Sequence, residues 1–525
     1  MTIEQWLEDG KSDAYRRKLP QLADLLDGLA QATAALRAAD WNDDASATAP
    51  YLPEPLNRAE ARDSRPADAS TAVTPSEAGP TIAELSVQLA SGAVRSERLT
   101  EEALAVIAAR NPRLNAFITI TADEALERAR EADREIAAGR YLGKLHGIPL
   151  SLKDIFDQAG KANTAGSRLR EGSIAERNAP IVSRLADAGA VFVGRANLHE
   201  FALGTTTEDS GWGLARHPID DTRSPGGSSG GSAIAVRSGM SIASVGTDTG
   251  GSIRIPSAAC GLVGLKPEWG EIPADGVVPL SRQLDHVGPL ARSVADAAIM
   301  YDVLRGAAEG TTNVAGASLS SLSFAALGGY FMDRLGTDVE TGILRAIETL
   351  RSHGATVGDA SIAHAKDIAP VYLHLVLADA AAYHAVALDR RPHAYTANVR
   401  LRLEMGRQIL AEDYERALRG RAVLRRDVES ALQGVDALVL PALGIEAPPI
   451  GAATVPVNGG QEPVRTAMLR CTQLFNVTSH PAISLPCGTT QSGLPIGLQI
   501  VGHPGRTGDL LRVAAAVERA LFTTR

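Results

Sequence analysis

Two serines in glycine-rich settings and a lysine upstream of them are the residues in this sequence best suited to chemistry. Ser228 lies in the run GGSSGGS and Ser252 ends the run DTGGS, with an apolar segment of small residues between the two runs. Dense glycine costs backbone entropy on folding, so it usually marks a sharp turn or a place where another group approaches the backbone amides. One such run alone is equally typical of a flexible surface loop. Two runs that bracket an apolar element favour a functional site.

Amide hydrolysis is a reaction that these side chains can support. It needs a nucleophile, a base, an acid for the leaving amine, and hydrogen-bond donors for the oxyanion. A serine hydroxyl is too weakly acidic to attack unaided, and Lys153 can serve as its base if burial lowers the lysine pKa toward neutrality. The residues Ile148–Leu152 are largely apolar, which favours burial, whereas Asp154 and Asp157 oppose it if they point inward. The alternative is an ordinary surface lysine paired with Asp157.

Several segments resemble, in order, the motifs of the amidase signature family, and the resemblance extends from about Thr81 to the C-terminus. The segments are GIPLSLKDIFDQAGKANTAGS (147–167), RANLHEFALGTTTEDSGWG (195–213), the glycine- and serine-rich region 224–267, LDHVGPLARSVADAA (284–298) and FNVTSHPAISLPCG (475–488). The resemblance implies a Ser–cisSer–Lys triad of Lys153, Ser228 and Ser252, whose spacing here is also that of the family. It further implies an amidohydrolase that cleaves a carbon–nitrogen bond through an acyl-enzyme, without metal or cofactor.

The resemblance also assigns a role to each serine. Ser252 is the nucleophile, and Ser228 passes its proton to Lys153, a role that suits a hydroxyl because it donates and accepts at once. The family places this second serine beside a cis peptide bond, and Gly227 is compatible with one. Ser229 is expected to support the hydrogen-bond network without being essential.

The loop before Ser252 is the predicted oxyanion hole. The backbone N–H groups of Thr249, Gly250 and Gly251 can point at a developing oxyanion, since two glycines let the chain bend closely around a substrate carbonyl. Asp248 and Arg254 flank this loop. We expect them to brace it as a buried or half-buried ion pair.

A competing interpretation makes Ser228 the nucleophile. The run GGSSG satisfies the G-x-S-x-G elbow of α/β-hydrolases, which requires an Asp and a His further along the chain. His286, His364 and His480 are available. The elbow follows a strand, however, whereas the polar segment HPIDDTRSPGG precedes this serine, and no Asp and His pair stands in a recognisable context.

No metal or cofactor site is expected. The pair His199 and Glu200 begins like the zinc-protease motif HExxH, but its fifth position is Leu203. The phosphate-binding pattern GxxxxGK[ST] does not occur. The cysteines are odd in number, which favours a reducing compartment, and they lack metal-ligand or redox spacing. They are Cys260, Cys471 and Cys487.

Composition excludes several other classes of protein. The formal net charge of −9 argues against nucleic acid as a partner, because phosphate binding needs clustered Lys and Arg. The first residues, MTIEQWLEDGKSD, lack the features of a signal peptide. The sequence contains no run of about 20 apolar residues, the length needed to span a bilayer. Hydrophobic residues at 45% and charged residues at 22% are typical of a globular enzyme. We therefore expect a cytoplasmic protein without a membrane partner.

The core is predicted to be an α/β fold with a central, mixed, largely buried sheet sandwiched by helices. Strand-like runs alternate with helical segments, as in such folds. These runs are IPLSLK, AVFVG, SIASVG, LVGLK, ALVLP and ISLPCG. Three helices are predicted near the start of the core: one capped by Thr81 that runs through Leu89, one capped by Thr100 that runs toward Arg110, and one over Asp123–Ala138. A mostly helical insertion, Leu319–Asp436, is expected to cap one side.

The first 79 residues differ from this core, which we place at 80–525. Arg16–Ala39 predicts one or two helices, with leucines at helical spacing that begin at Leu19. A tract rich in Ala, Asp, Ser, Thr and Pro then runs from Trp41 to Gly79 and predicts a linker. The helical segment faintly resembles the small helical subunit that accompanies some bacterial amidases.

The main functional prediction is an amidase that acts on a small-molecule amide, an aryl amide, a carbamate or an ester. An alternative is the glutaminase (A-type) subunit of a tRNA-dependent amidotransferase, and another is a non-catalytic scaffold that keeps the fold. A homodimer is expected. The substrate pocket is predicted to be walled by Gly204–Trp212, Tyr372–Tyr383 and Leu440–Ala447.

Overall fold

The computed structural model describes residues 2–16, 20–39, 41 and 79–523, and within them the chain forms thirteen β-strands and sixteen α-helices. The strands are β1 (Phe117–Ile120), β2 (Pro149–Lys153), β3 (Val191–Ala196), β4 (Ala243–Asp248), β5 (Val263–Lys266), β6 (His286–Ala291), β7 (Ser323–Leu327), β8 (Thr356–Ala360), β9 (Ala437–Pro441), β10 (Thr454–Val457), β11 (Gly460–Pro463), β12 (Ala482–Thr489) and β13 (Pro495–Val501). The helices are α1 (Ile3–Arg16), α2 (Pro20–Ala38), α3 (Ile82–Ala90), α4 (Ser96–Leu114), α5 (Ala122–Ala137), α6 (Pro180–Asp187), α7 (Gly230–Arg237), α8 (Arg254–Cys260), α9 (Val294–Arg305), α10 (Thr337–Ser352), α11 (Ile368–Arg390), α12 (Ala397–Gly406), α13 (Ala411–Ala431), α14 (Val464–Leu469), α15 (Gln473–Val477) and α16 (Thr507–Thr523).

Eleven of the described strands form one mixed sheet, in the order β1-β3-β2-β4-β6-β5-β12-β13-β9-β7-β8. Strand β2 runs parallel to both of its neighbours, β3 and β4, whereas β12 and β13 pair antiparallel. Every residue of β2, β4, β5, β6, β9 and β13 is buried, as expected of strands covered by helices on both faces. The predicted fold class is confirmed, and each of the six predicted strand runs overlaps a strand of this sheet.

The insertion Leu319–Asp436 differs from its prediction in one respect. It contributes four helices, α10 to α13, but also two strands, β7 and β8, that extend the edge of the main sheet. Strand β8 has the sequence TVGDA and is mostly exposed, so it lacks the alternation of apolar and polar residues that marks a half-buried strand. The insertion is therefore part of the sheet as well as a cap over it.

The starts of two early helices show which helix caps a sequence can reveal. Thr81 caps α3 as predicted, because its hydroxyl accepts from the Glu84 N–H at 3.1 Å. The structure adds the reciprocal bond, in which the Glu84 carboxylate accepts from the Thr81 N–H at 2.8 Å. The next helix begins at Ser96 and not at Thr100 as predicted. Its first N–H groups are satisfied by the Asp133 carboxylate of α5, which accepts from the Ser96 N–H at 2.7 Å. A cap from a distant helix leaves no local signal.

The N-terminal segment forms two helices, and the first begins much earlier than predicted. Helix α1 covers Ile3–Arg16 and α2 covers Pro20–Ala38. The leucine repeat is correct for α2, where Leu22, Leu26 and Leu29 are buried, whereas Leu19 lies outside the described residues. The predicted linker also lies outside them from residue 42 to 78.

Helices α1 and α2 pack on the helical insertion. Helix α2 contacts α11, α12 and α13. The Thr33 hydroxyl is 3.0 Å from Nε2 of His374 on α11, and the Arg37 guanidinium pairs with the Asp413 carboxylate of α13 at 2.6 Å. The N-terminal helices therefore hold the outer side of the insertion.

One helix in the described part of the chain, Ala365–Arg390, is long and apolar enough by composition to cross a membrane. Of its most apolar window, 56% is buried inside the protein, and the helix packs against α2, α12, α13 and α15. Core helices of globular proteins have the same composition. This helix is therefore weak evidence for a membrane span.

Replacing Asp133 with alanine is expected to loosen the start of α4. The substitution removes the acceptor for the first helical N–H groups, a loss of about 1 kcal/mol, so amide hydrogen exchange at residues 96–99 should accelerate roughly fivefold. The matched control is Glu127→Ala, because Glu127 is an exposed residue of α5, the helix that also carries Asp133. Equal exchange in the two variants would contradict this cap.

Candidate active site

Lys153 is the last residue of β2 and is completely buried between β3 and β4. Its Nζ lies 2.8 Å from the Ser228 hydroxyl and 2.7 Å from the Thr247 hydroxyl. Asp157 instead accepts a hydrogen bond from the side chain of Asn163 at 2.7 Å. The alternative of a surface lysine paired with Asp157 is therefore wrong.

Burial lowers the pKa of Lys153 to about 7, although the charges of Asp285 and Asp248 act in the opposite direction. Asp154, the acidic neighbour in the sequence, does not oppose this shift because its carboxylate binds the Arg195 guanidinium at 3.0 Å and the Thr164 side chain. A large fraction of the lysine is therefore an uncharged amine at neutral pH, which is the form that can accept a proton.

Ser228 lies at a tightly packed point of the chain. The peptide bond between Gly227 and Ser228 is cis. A Cβ atom at Gly227 would lie 2.8 Å from the Thr207 N atom, so only glycine fits here. The Ser228 carbonyl accepts from the His199 N–H at 3.1 Å. These contacts hold the Ser228 hydroxyl against Lys153.

Ser252 lies in the loop between β4 and α8 and is 6% exposed. Its hydroxyl makes no hydrogen bond to any residue that the structure describes. The Ser229 N–H donates to the Ser252 carbonyl at 3.2 Å, and the Ser229 hydroxyl donates to the Thr247 carbonyl at 3.2 Å. Ser229 thus joins the two serine loops to the strand that contacts Lys153, as a supporting residue would.

Asp248 and Arg254 form the predicted ion pair, and both are fully buried. The Arg254 Nη2 atom lies 2.9 Å from Asp248 Oδ1. Burial alone would raise the pKa of Asp248, but the Arg254 guanidinium holds this pKa below its usual range. The same carboxylate accepts from the Ile253 N–H at 3.1 Å. The pair therefore fixes the loop that carries Ser252.

One of the three N–H groups of the predicted oxyanion hole already has a partner within the protein. The Gly251 N–H donates to Asp248 Oδ1 at 2.8 Å, so the Asp248 and Arg254 ion pair already occupies this donor. The N–H groups of Thr249, Gly250 and Ser252 have no hydrogen-bond partner among the described residues. These three N–H groups of the loop that carries Ser252 are therefore available as donors, and their role as an oxyanion hole stays a prediction.

Several residues at the site were not singled out in the sequence. Thr247 contacts Lys153, and Asp285 accepts from the Thr249 hydroxyl at 2.6 Å. Burial raises the pKa of Asp285 to about 6. The Asn476 amide donates to the Asp248 carboxylate at 2.8 Å. Asp285 and Asn476 lie in two of the motif segments, but only the fold shows what they contact.

Two of the predicted pocket walls reach this site. The Tyr372 hydroxyl of α11 lies where a Cβ atom at Gly250 would be, so Tyr372 covers the loop before Ser252. Thr207, in the wall Gly204–Trp212, packs against Gly227. The third wall, Leu440–Ala447, stays a prediction.

The elbow interpretation is not supported by the contacts. In the described chain no strand leads into Ser228, and its hydroxyl contacts an amine and not an imidazole. His286 Nδ1 lies 2.7 Å from the Leu284 carbonyl, and His364 Nδ1 lies 2.9 Å from the Asp427 carboxylate. His480 Nδ1 lies 2.9 Å from its neighbour, the Thr478 hydroxyl.

Comparisons with known proteins identify the family of this chain. Residues 98–511 match the family model described as Amidase. The chain is 36% identical over 474 residues to the A-type subunit of the glutamyl-tRNA(Gln) amidotransferase of Chloroflexus aurantiacus, across 84% of this chain and 96% of that relative. It is 37% identical over 458 residues to an amidase of Pseudomonas putida, with the same coverage of both chains. The crystal structure of an amidase superimposes with a TM-score of 0.79 at 36% identity, covering 84% of this chain and 99% of that one.

The fold, the motifs and these matches define a carbon–nitrogen hydrolase. The chain belongs to the amidase signature family.

Activity is expected to increase with pH through the pKa of Lys153. Because the neutral amine is the base, kcat/KM for an uncharged amide should rise roughly tenfold per pH unit below about pH 7 and level off above it. Lys153→Ala should lower the plateau by about 10²–10⁴-fold. Lys144→Ala, at a half-exposed lysine, is the control. A Lys153→Ala enzyme with full turnover at neutral pH would refute the assignment.

Covalent trapping distinguishes the two candidate nucleophiles. A fluorophosphonate should label Ser252, as read by peptide mass spectrometry, and Ser252→Ala should abolish the label because the attacking hydroxyl is gone. Ser228→Ala should slow the labelling but leave the label on Ser252. The reverse pattern, with the label on Ser228, would support the elbow interpretation.

Proposed function

We propose that this protein is an amidase that hydrolyses the carbon–nitrogen bond of a small-molecule amide through a Ser252 acyl-enzyme. The observation that carries the proposal is the fully buried Lys153 amine, 2.8 Å from the Ser228 hydroxyl, whose neighbour Ser229 bonds to Ser252. Aryl amides, carbamates and esters present a similar carbonyl and are included in the proposed range.

The first half of the reaction forms the acyl-enzyme. Neutral Lys153 accepts the Ser228 proton while Ser228 accepts the proton of Ser252, whose Oγ bonds to the substrate carbonyl carbon. The carbonyl oxygen becomes an oxyanion that accepts hydrogen bonds from the free N–H groups of the Thr249–Ser252 turn. When the tetrahedral intermediate collapses, the carbon–nitrogen bond breaks. The proton held by Lys153 returns through Ser228 to the leaving nitrogen, which departs as ammonia or an amine.

The second half restores the enzyme by the same relay. A water molecule replaces the amine, and its proton passes through Ser228 to Lys153 as its oxygen bonds to the acyl carbon. Collapse then breaks the ester bond to Ser252, which takes the proton back. The product is a carboxylic acid, and every proton that enters the relay leaves it.

The N-terminal helices favour a free-standing enzyme over a glutaminase subunit. Helices α1 and α2 precede the segment that matches the family, and they cover the helical insertion from within the same chain.

The relatives named as A-type subunits of an amidotransferase favour the second candidate, the glutaminase subunit. The scaffold alternative is disfavoured because the chain retains Lys153, Ser228 and Ser252. It also retains the ion pair of Asp248 and Arg254. A cytoplasmic homodimer with separate regions at 1–79 and 80–525 stays a prediction.

A substrate panel tests the proposal. The purified chain alone should release ammonia or an amine from simple aliphatic and aryl amides, with Ser252→Ala as the inactive control. Turnover of glutamine only, and only with added partner subunits, would establish the glutaminase alternative. If no amide, carbamate or ester is hydrolysed and the fluorophosphonate does not react, the scaffold alternative holds.

A further inference from the structure

The loop before the predicted nucleophile is held by hydrogen bonds on one side of the N–H groups that it leaves free. The Gly250 carbonyl accepts from the Thr472 hydroxyl at 2.6 Å. The N–H of the same peptide unit, that of Gly251, donates to the Asp248 carboxylate at 2.8 Å. This peptide unit is therefore fixed at both ends. The unit before it, which joins Thr249 to Gly250, carries an N–H without a partner in the described chain and needs another restraint.

The side chain of Thr249 supplies that restraint. Thr249 is 1% exposed, and its hydroxyl donates to the Asp285 carboxylate at 2.6 Å. A hydrogen bond to an ionised acceptor is about twice as strong as one between neutral groups. The side chain is attached at the Cα atom that joins the Thr249 N–H to the peptide unit of the Gly250 N–H. Holding this side chain therefore limits the rotation of both N–H groups.

The register of the sheet places Asp285 opposite Thr249. Strands β4 and β6 run antiparallel, and the pair at this end of the two strands is Asp248 with His286. One residue further along the same register, just after β4 and just before β6, Thr249 faces Asp285. Side chains directly opposite each other in an antiparallel pair are close enough to interact. The contact thus follows from the pairing of two buried strands.

Asp285 is itself fixed by the turn that precedes β6. Its carboxylate accepts from the Leu280 N–H at 3.0 Å and from the Ser281 N–H at 3.2 Å. Its own N–H donates to the Ser281 carbonyl at 2.8 Å, which closes the turn. The residue is 8% exposed. A buried carboxylate with two backbone donors has little freedom to move, so it is a firm anchor for the Thr249 hydroxyl.

The contacts of Asp285 require a carboxylate, although its charge acts against the proposed base. That charge raises the pKa of Lys153 and opposes the effect of burial, and burial raises the pKa of Asp285 itself to about 6. Three donors converge on the two carboxylate oxygens. An asparagine could not accept from all three in the same way, because one of its two terminal atoms is itself a donor.

We propose that Asp285 is a positioning residue that holds Thr249 through its hydroxyl, so that the N–H groups of Thr249 and Gly250 stay aimed at the position of the oxyanion. The proposal rests on the proposed amidase function and names the side chain that orients two of its predicted oxyanion donors. Donors that are fixed in advance stabilise charge that develops in the transition state. Loss of the tether therefore lowers kcat more than it changes KM.

Two substitutions of Thr249 test the tether in the intact enzyme with a simple aliphatic amide. Thr249→Val keeps the shape of the side chain but removes the donor, so kcat should fall about 10–100-fold with KM within about threefold. Thr249→Ser restores the donor and should recover most of kcat. Wild-type kcat in Thr249→Val, or a loss that serine does not recover, would overturn the proposal and leave the amidase function intact. No amide turnover by the unaltered enzyme, without fluorophosphonate labelling of Ser252, would overturn both.

Asp285→Asn tests the other partner. At the high-pH plateau it should lower kcat about as much as Thr249→Val, and the double variant should lose little more, because both changes break one hydrogen bond. Fully additive losses would show that the two residues act independently and would contradict the proposal. If Asp285→Asn does not fold, the Thr249 variants decide the question.

The pH profile separates this role from a purely structural one. Because the charge of Asp285 raises the pKa of Lys153, the rising limb of kcat/KM in Asp285→Asn should move to lower pH. The control is Asp296→Asn on α9, a buried carboxylate that accepts from the Ala83 N–H at 3.2 Å and whose pKa burial also raises to about 6. This control should lower the melting temperature but leave kcat and the pH profile unchanged. The same changes of kcat and pH profile in both variants would overturn the proposal.

Discussion

The site depends on one energetically unfavourable feature, the complete burial of the Lys153 amine at the end of the central strand β2. Lys153 has hydroxyl groups and not carboxylates in direct contact, so its charge is poorly compensated and the neutral form is favoured. The parallel neighbours β3 and β4 surround the strand that carries it. The hydroxyl groups of Ser228 and Thr247 accept hydrogen bonds from the amine but supply no negative charge to balance it. The lowered pKa of Lys153 follows from this burial more than from any single contact.

The acidic groups around the lysine are arranged so that they do not undo this effect. Asp154 is adjacent in sequence but is held by Arg195, and Asp248 is held by Arg254. Each of these two buried carboxylates therefore has its own guanidinium, as buried charges require. The second pair also shapes the backbone, because Asp248 binds the Gly251 N–H and fixes the turn that carries Ser252. Electrostatics and loop geometry are thus set by the same side chains.

The sequence was sufficient for features encoded locally or in ordered motifs. Most strands of the sheet, the cap of α3 and the contact between Lys153 and Ser228 are of this kind. The triad roles of Lys153, Ser228 and Ser252 come from the family resemblance and stay a prediction. Features created by distant contacts could not be predicted. The start of α4 depends on Asp133 from another helix, and the partners of Thr249 and Asp248 include Asp285 and Asn476. The edge strand β8 was missed because a short, exposed strand carries little alternation, and its neighbour β7 was missed because a short, mostly buried run has no distinctive periodicity.

The central claim is that burial lowers the pKa of the enclosed amine to about 7, so that about half of it is uncharged at neutral pH, and titration of the lysine side chains by NMR tests this directly. Isotope-labelled lysine would be followed from about pH 5 to 11, with the Lys153 signal assigned by its loss in Lys153→Met. A pKa near 7 is the result that this account requires. A pKa near the ordinary value of about 10.4 would mean that the amine stays charged, and the relay described above could not operate.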